Sequence, residues 1–512
     1  MTNPKTLQDR WRSLDGQRSS VLDRAHEAAS FTIPRLFADR YFDGGVDTIG
    51  LPELYSTRPG TNVMKLAAMM TSALIPSNDV PPFEFMLTPE LNEEKKEELR
   101  DAVQKVERLT LDTIQSSNFR NSLFTSLQHA GVMGDSLIYQ TSLTSFKVYH
   151  PSQFILRRDG DGNIKEYWTL DWVVTELLGD DLKNLNAGRP TAQRGEHEPL
   201  ITRVCYKDDE WVVDREFRGV MYDKDKTYDE LPYYHIGWTP VAGEDSSRSI
   251  VEENMGTIRS LELVSKALAE GIAAGSEGRI IVNSAGPTTE DDIGDTNWSI
   301  ISARPEDLST FQPNVSGSVG IALEAVRYYS QVLDEAFLAT SAGDLRGERV
   351  TAFQTNQVVN EKAQALGGVL AGIEQNLERM VRRTLSILIK EKKVIPEFGE
   401  LITDGGMKIV ISSGLDALGR QMDVLRLQNL IEVAFGTGDP EMMGVLNRTN
   451  IMQGLARATG LDMEQYTFND EQIAEKAAAQ QAQQQQQQAQ QQAQQQAIQS
   501  AGSIAEQQLG QA

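Results

Sequence analysis

Apolar residues recur at steps of three and four along two neighbouring stretches of this chain, 246–276 and 316–339, and each stretch predicts an amphipathic helix. The apolar positions of the first stretch, which follows turn and cap residues at 243–247, are Val251, Met255, Ile258, Leu261, Val264, Leu268 and Ile272. Those of the second stretch are Val319, Leu323, Val326, Tyr329, Leu333 and Phe337. At ~1.5 Å per residue each helix would be roughly 30–40 Å long, so we expect a rod-like helix pair.

The opposite face of the first predicted helix is polar and mostly acidic. Its charged residues are Glu252, Glu253, Arg259, Glu262, Lys266 and Glu270. A helix with this pattern packs its apolar side against the protein and exposes its polar side to solvent.

Residues 277–315, between the two predicted helices, contain short β-like runs at 279–282 and 298–301. These runs predict a small β-containing module at the tip of the rod. After the rod, residues 340–351 hold two glycines, two arginines and no apolar face, which is typical of a mobile loop.

A helical period returns from 352 to 392 and predicts one long helix. Gly367, Gly368 and Gly372 lie inside this pattern. Each glycine costs ~1 kcal/mol relative to alanine within a helix, so we expect a kink or close helix packing there.

The chain before the rod is helical at first and rich in β-strands afterwards. Helices are predicted over 7–30, 61–74, 92–117 and 118–131, and strands at 83–87, 135–140, 201–206, 211–217 and 233–237. Residues 148–157 and 164–169 predict a hairpin around an aspartate-rich turn. A calcium loop is disfavoured, because Ile164 and Leu170 replace the glycine and the glutamate that an EF-hand requires.

The C-terminal part predicts a strand at 407–411 and helices over 416–437 and 440–459. From residue 477 onward nearly every residue is alanine or glutamine, without an apolar stripe. Such a segment cannot bury a core, and it is either disordered or a solvated helix. The whole pattern predicts an α+β fold that is predominantly helical.

Composition narrows the function classes. The 512 residues include 73 acidic and 49 basic side chains, and the formal charge of −24 disfavours a protein that grips DNA phosphates. One cysteine, Cys205, allows no intramolecular disulfide and suits a reducing cytoplasm. The first residues lack the apolar segment of a signal peptide, and no run of about 18 apolar residues predicts a membrane span.

Motifs for enzyme chemistry are missing. The sequence has no nucleophile elbow, no Walker loop, no dinucleotide fingerprint and no His-Glu-x-x-His, and its five histidines lack ligand spacing. Residues 343–349 faintly resemble a phosphate cradle, but they lack the Lys-Ser/Thr pair, so a plain connector is the simpler interpretation. We therefore expect no enzyme activity, no cofactor and no metal.

Several segments, taken in their order along the chain, resemble the portal (head-to-tail connector) proteins of short-tailed podovirus-type phages. They lie at 31–37, 66–76, 118–124, 250–262, 304–307, 346–352 and 412–420. None of these segments is a chemical signature by itself. Their shared order over nearly the whole chain, up to the glutamine-rich tail, makes the resemblance specific.

The resemblance implies the portal fold of wing, stem, clip and crown, assembled as a dodecameric ring around a DNA channel. The implied parts are a wing (1–245), first stem helix (246–276), clip (277–315), second stem helix (316–339), tunnel loop (340–351), long kinked helix with wing return (352–415), crown (416–470) and Ala/Gln-rich tail (471–512).

The resemblance also implies a location and a set of partners. The ring would sit at one capsid vertex of the virion, at the head–tail junction, after assembly in the host cytoplasm. Its partners would be eleven further copies, the major capsid and scaffolding proteins, the terminase motor, and the tail adaptor and tail proteins; internal core proteins are a further candidate. Double-stranded viral DNA would pass through the channel during packaging and ejection without sequence-specific contacts, and no membrane is involved.

Site roles follow from this plan. Twelve copies carry 12 × −24 = −288 formal charges, and an acidic channel wall would let DNA slide without being held. The six charged residues of the first stem helix given above are the candidates for that wall; facing a neighbouring stem or outer solvent is the alternative. Arg346 and Arg349 of the tunnel loop would touch phosphates or pair with Asp344 and Glu348 of adjacent copies. The candidate clip residues that face the adaptor and terminase are Trp298, Arg304, Glu306 and Asp307.

Two other classes of function stay open at this point. One is a different ring or scaffold protein of the same virion, which would lack an open channel that binds the packaging ATPase. The other is a hydrolase or nuclease with a helical lid, which the missing motifs disfavour.

Overall fold

The computed structural model describes residues 6–37, 53–75, 82–88, 93–174, 197–217, 219–276, 279–282, 308–311, 316–339, 366–394, 398 and 406–411. All of these residues belong to one compact unit of the chain, formed by Met1–Ser77 and Pro81–Ala417.

Helices dominate the described part. They are α1 (Leu7–Gln17), α2 (Ser19–Thr32), α3 (Arg58–Leu74), α4 (Glu93–Ser116), α5 (Phe119–Met133), α6 (Ile250–Glu253), α7 (Met255–Ser276), α8 (Ser316–Ala336) and α9 (Gly367–Lys390). The helix predicted over 7–30 is in fact two helices. Arg18 lies between them. Its guanidinium group donates hydrogen bonds to the backbone carbonyls of Pro151, Ser152 and Phe154, which holds the chain at this break.

The described strands are β1 (Phe83–Leu87), β2 (Asp135–Gln140), β3 (Phe146–Val148), β4 (Phe154–Arg158), β5 (Ile164–Val174), β6 (His197–Lys207), β7 (Glu210–Phe217), β8 (Val220–Tyr228), β9 (Tyr233–Gly237), β10 (Arg279–Val282), β11 (Leu308–Phe311) and β12 (Met407–Ile411). They form sheets with the orders β4-β5-β6-β7-β8, β3-β2-β9, β1-β12 and β10-β11, and all described pairings are antiparallel. The fold class is therefore α+β, as predicted.

The predicted hairpin is confirmed as β4 and β5. Its turn is closed by Asp159, whose Oδ1 accepts hydrogen bonds from the backbone N–H groups of Asp161 (3.0 Å) and Asn163 (2.8 Å). Gly162 has φ +86°, which favours glycine at this position. The Asp159 side chain therefore shapes the backbone of the turn.

The sequence analysis missed β8. This strand contains the run Asp223, Lys224, Asp225 and Lys226, a composition that is depleted in strands. The strand lies at the edge of the five-stranded sheet, and its pairing with β7 shifts register on both sides of Arg215. Charged side chains and irregular pairing are common at sheet edges, because they discourage pairing with another chain.

The sequence predicted β1 and β12 separately, but not that they pair with each other. Phe83 lies opposite Ile411 and Leu87 opposite Met407, more than 300 residues apart in the chain. Hydrophobic periodicity indicates a strand but carries no information on its partner across such a distance.

One hydrophobic core joins α2, α3, α5 and α9 with the three-stranded sheet and with the roots of α7 and α8. A smaller core under α1 contains Trp11, Leu14, Ile155, Trp168 and Ile201. Glu216 fixes the start of α1, because its carboxylate accepts hydrogen bonds from the backbone N–H groups of Leu7 (2.6 Å) and Gln8 (3.3 Å).

The first helix of the predicted rod starts later than expected and is interrupted. It begins at Ile250 instead of 246, because Ser249 is the N-cap and accepts the N–H of Glu252 at 2.9 Å. Asn254 then separates α6 from α7; its side-chain amide donates to the carbonyl of Ile250 at 2.9 Å. Competition of this kind for backbone acceptors is a known reason for asparagine to interrupt a helix.

The long helix predicted from 352 is described only from Gly367, and residues 352–365 lie outside the described part. Of the two expectations for its glycines, close packing finds no support among the described residues, and a kink stays a prediction. No described residue lies within 4 Å of the position that a Cβ would take at Gly367, Gly368 or Gly372, and the glycines occupy the first turns of α9. The glycines therefore weaken the first turns of α9 rather than its middle.

Candidate assembly and channel surfaces

The predicted rod is present as the antiparallel helix pair α7 and α8. A methyl group at Gly271, near the end of α7, would lie 4.0 Å from Cγ2 of Val319, near the start of α8. The two helices have 22 and 21 residues, so each is ~32 Å long. The β10-β11 pair lies between them in sequence, where the small β-containing module was predicted.

Burial changes along the helix pair. The end that joins the rest of the chain is buried, and Ile258, Leu261, Leu333 and Phe337 are all 0% exposed. At the other end the predicted apolar stripe is exposed to solvent: Ile272 is 53% exposed and Leu323 is 41% exposed. We refer to the described residues outside α6, α7, α8, β10 and β11 as the body, and to the end away from it as the distal end.

A buried polar cluster anchors the start of the helix pair to the body. Asp135, at the start of β2, is 2% exposed, and its carboxylate contacts Nε2 of His235 at 2.7 Å and accepts the backbone N–H of Ser247 at 2.7 Å. Burial by itself raises the pKa of the Asp135 carboxyl, but the hydrogen bonds from His235 and Ser247 outweigh burial and hold the pKa below its ordinary value. The ionised carboxylate thus joins β2, β9 and the segment that leads into α6.

Two glycines allow this close approach. A Cβ at Gly134, where φ is +99°, would lie 2.1 Å from the carbonyl oxygen of Ser247. A Cβ at Gly237 would lie 2.8 Å from Oγ of Ser247 and 2.8 Å from the His235 ring. Substituting either glycine would therefore push the Ser247 segment away from the body.

Asp135, His235 and Ser247 are the residue types of an acyl-transfer triad, but their geometry differs from one. Ser247 is 3% exposed, its backbone N–H donates to Asp135, and its Oγ accepts a hydrogen bond from Nη2 of Arg158 at 3.3 Å, so no base is aligned on an accessible hydroxyl. The cluster holds the backbone and presents no nucleophile.

A second set of contacts binds residues 53–62 to both helices of the pair. The Glu262 carboxylate accepts the backbone N–H groups of Tyr55 (2.8 Å) and Ser56 (3.0 Å). On α8, Asp334 accepts a hydrogen bond from Nδ2 of Asn62 at 2.9 Å and pairs with Arg58. Burial alone raises the pKa of Asp334, but Arg58 and Asn62 hold it below its ordinary value.

The structure places the predicted channel-wall residues in several different settings. Glu252 pairs with Arg248 (2.5 Å) and Arg24 (2.9 Å), and Arg259 pairs with Glu27. Glu252 is therefore turned toward the body, whereas the Arg259 side chain reaches Glu27 and is still 57% exposed.

Further along α7, Lys266 lies 3.9 Å from Glu270 and 6.0 Å from the centroid of the Tyr55 ring. Glu253 and Glu270 are exposed, whereas Glu262 makes the backbone contacts described above. Whether any of these side chains lines a channel stays a prediction.

The other predicted site residues lie outside the described part of the chain. They are Trp298, Arg304, Glu306 and Asp307 of the predicted clip, and Asp344, Arg346, Glu348 and Arg349 of the predicted tunnel loop. The predicted crown and the glutamine-rich tail lie outside it as well.

The sequence analysis missed two exposed apolar surfaces on the helix pair. The first, which we call the open flank, consists of Leu263, Ile321 and Tyr328, which are 69%, 74% and 64% exposed. At ~100° per residue, Leu263 lies about 140° from the buried Ile258, and Ile321 and Tyr328 lie 120–140° from the buried Leu333. The open flank is thus turned away from the body.

The second surface, the body-side flank, consists of Ile272 and Leu323. Ile272 lies about 40° from the direction of Ile258, and Leu323 about 20° from the direction of Asp334, which binds the body. Both side chains point along the side that the body covers elsewhere, but they lie distal to it and are exposed. A signal for both flanks was available in the sequence, since the apolar residues exceed one narrow stripe.

Within the described ranges no helix is long and apolar enough to cross a membrane. Those ranges also hold no group of three or more histidine, cysteine, aspartate and glutamate side chains arranged to bind a metal ion.

Comparison with known proteins identifies relatives over most of the chain. Residues 4–466 match the family model described as "Bacteriophage head to tail connecting protein". The chain is 27% identical to the portal protein of Escherichia phage T7 over 91% of this chain and 88% of the relative. It is 28% identical to the portal protein of Enterobacteria phage T3, over 90% of this chain and 87% of that one.

Solved structures show a more distant likeness. One is a chain from the neck of a native gene transfer agent particle computed with C12 symmetry, with a TM-score of 0.36 and 12% identity. The match covers 72% of this chain and 85% of that chain. The family assignment therefore rests on the sequence match.

Proposed function

Because this chain belongs to the bacteriophage head to tail connecting protein family, we propose that it is a portal subunit whose twelve copies form a ring at the head–tail junction of a virion. Viral double-stranded DNA would pass through the central channel during packaging and ejection. The single observation that carries this proposal is the family match over residues 4–466, which includes the helix pair and the body.

The two apolar flanks support ring assembly. They lie on opposite sides of the helix pair, and the side chains of Leu263, Ile321 and Tyr328 are more than half exposed. Exposed apolar surfaces of this kind mark interaction sites. When one flank of each copy packs on the opposite flank of the next copy, the contact is heterologous, and such contacts generate a ring if the rotation closes.

The remaining parts of the portal plan follow from this placement. We propose that the helix pair is the stem, that residues 277–315 form the clip that faces the terminase and then the tail adaptor, and that residues 340–351 form the tunnel loop. Residues 416–470 would form the crown inside the capsid, where the scaffolding and major capsid proteins surround the ring. The body would be the wing.

The charge of the chain fits a channel through which DNA slides. A formal charge of −24 per copy repels phosphates, and screening limits this repulsion to ~8 Å at physiological salt. Only side chains at the channel wall therefore act on the duplex.

A charge substitution on the open flank tests the stem interface. The double variant Leu263→Lys with Ile321→Lys places two lysines per copy in the proposed contact, so we expect soluble, folded subunits that no longer form rings. The control, Met86→Lys with Met221→Lys, adds the same charge at exposed apolar positions of β1 and β8 and keeps the rings. Native mass spectrometry and circular dichroism measure assembly and folding; rings of unchanged mass in the flank variant would contradict the interface.

A further inference from the structure

We infer that, in the proposed ring, the polar face of α8 lines the DNA channel, and that the charged face of α7 is turned to the outside. This inference rests on the proposed function. It differs from the sequence-based expectation, which placed every candidate for the stem part of the channel wall on the first helix of the pair.

The polar face of α8 is a continuous stripe. Gly320, Glu324, Arg327, Gln331 and Glu335 follow one another at steps of three and four, and all five are exposed. Gln331 donates to Glu335 at 3.0 Å, and within the described residues neither Glu324 nor Arg327 takes part in an ion pair. Two carboxylates against one guanidinium leave a net charge of −1 on this stripe in each copy.

The charged face of α7 is partly covered by the body of the same copy. Arg259 pairs with Glu27 of α2, and Lys266 lies over the Tyr55 ring. Partners offset most of the charges on this face, since Lys266 neighbours Glu270 at 3.9 Å, Glu252 pairs with Arg248 and Arg24, and Glu262 accepts two backbone N–H groups. This face therefore repels phosphates only weakly, and part of it is covered by the body of the same subunit.

The flanks and the body decide between the two faces. In a closed ring the open flank and the body-side flank meet the neighbouring copies, so one of the two polar faces points to the axis and the other points outward. The body must lie outside the stem, because a body between stem and axis would block the duplex. On α8 the body reaches Asp334, on the side of the body-side flank, whereas on α7 body residues lie against the charged face. That face is therefore the outer one, and the polar face of α8 points to the axis.

This placement puts acidic side chains at two levels of the channel. Glu324 and Glu335 are eleven residues apart, which is ~16 Å along the helix. That separation exceeds the screening length of ~8 Å, so the two levels act separately on the duplex; Arg327 is three residues from Glu324 and offsets part of its charge, so the repulsion is stronger at the Glu335 level. Two such levels would centre the DNA without holding it, since neither offers contacts to base edges.

Gold labelling of the assembled ring tests the inference. Antiparallel packing brings Glu324 of α8 to about the same height as Lys266 of α7, because Val319 lies against Gly271. The variants Glu324→Cys and Lys266→Cys therefore form a matched pair. The native thiol of Cys205 is buried and burial raises its pKa, so a maleimide-linked gold cluster will react mainly with the introduced cysteine.

Rings of both variants are assembled first, labelled afterwards, and imaged by cryo-electron microscopy along the ring axis. We expect gold from Glu324→Cys inside the central hole and gold from Lys266→Cys outside the stem wall. The opposite arrangement, equal radii for both labels, or failure of the Glu324→Cys chain alone to assemble would overturn the inference while leaving the ring intact. If the unmodified chain formed no closed ring with an open channel, the proposed function would be wrong as well.

Discussion

At the scale of single residues, Asp135 joins three parts of the structure. Its buried carboxylate, at the start of β2, binds His235 of β9 and the backbone N–H of Ser247, just before α6. Nε2 of His235 and the N–H of Ser247 both depend on this one acceptor. The position therefore couples the body to the helix pair.

Removing the charge of Asp135 should loosen that connection. Breaking a buried, hydrogen-bonded charge cluster costs about 3 kcal/mol, so we expect Asp135→Asn to lower the free energy of unfolding by roughly that amount. Urea denaturation of the unassembled chain measures the effect, with Asp161→Asn in the exposed β4-β5 turn as the charge-matched control. Equal unfolding midpoints for the two variants would show that Asp135 does not anchor the helix pair.

A second residue-scale prediction concerns pH. Burial lowers the pKa of His129 to about 4, with further lowering by His150 and Arg35 and partial opposition by a backbone hydrogen bond with Tyr149. Burial also lowers the pKa of His150. The His129 imidazole is therefore neutral in the folded chain at pH 6, whereas an unfolded histidine gains its proton near pH 6.5.

The unfolded state therefore binds more protons than the folded state in this range. The contribution of His129 to the free energy of unfolding is therefore fully present above pH 6.5 and is lost as the pH falls toward 4. The loss amounts to about 3 kcal/mol. In His129→Gln the slope of unfolding free energy against pH between 6.5 and 5 should become shallower. An unchanged slope would mean that His129 is protonated without opening the fold.

At the scale of elements, the contact of Glu262 with residues 55–56 holds a body segment on α7. Glu262→Ala removes the acceptor of two backbone N–H groups, so the amides of Tyr55 and Ser56 should exchange with solvent faster. Hydrogen exchange read by mass spectrometry detects this change, and Glu270→Ala on the same helix is the control. If peptides that cover residues 53–57 exchanged at an unchanged rate, Glu262 would not be the residue that holds this segment on α7.

The elements also show which features a sequence reveals. The helix pair, the β4-β5 hairpin and the isolated strands β1 and β12 follow from local periodicity and turn chemistry, so they were predictable. The partnership of β1 with β12 was not, and neither was β8, whose alternating charges hide an edge strand. The break at Asn254 depends on a side-chain hydrogen bond that no periodicity indicates.

The candidate surfaces divide in the same way. The charges of the first predicted helix were visible in the sequence, but their partners were not. Arg259 meets Glu27 from 232 residues away, and Glu262 meets Tyr55 from 207 residues away. The exposed flanks could not be assigned either, because exposure of Ile272 and Leu323 depends on where the body ends rather than on the helix itself.

At the scale of the whole molecule, three properties of the chain fit assembly around a channel. The family match indicates a connector, the two exposed apolar flanks would each meet a neighbouring copy in the proposed ring, and the acidic composition suits a channel that does not hold DNA. Each property alone fits other proteins. Together they are explained by one arrangement, in which the helix pairs stand side by side around an open axis.

The most direct test of this arrangement is native mass spectrometry combined with negative-stain electron microscopy of the purified chain. We expect rings with a central hole and a mass near 12 × 56.8 kDa, about 680 kDa. A compact monomer that also fails to form rings with scaffolding and capsid proteins, or a closed assembly without a channel, would contradict the account.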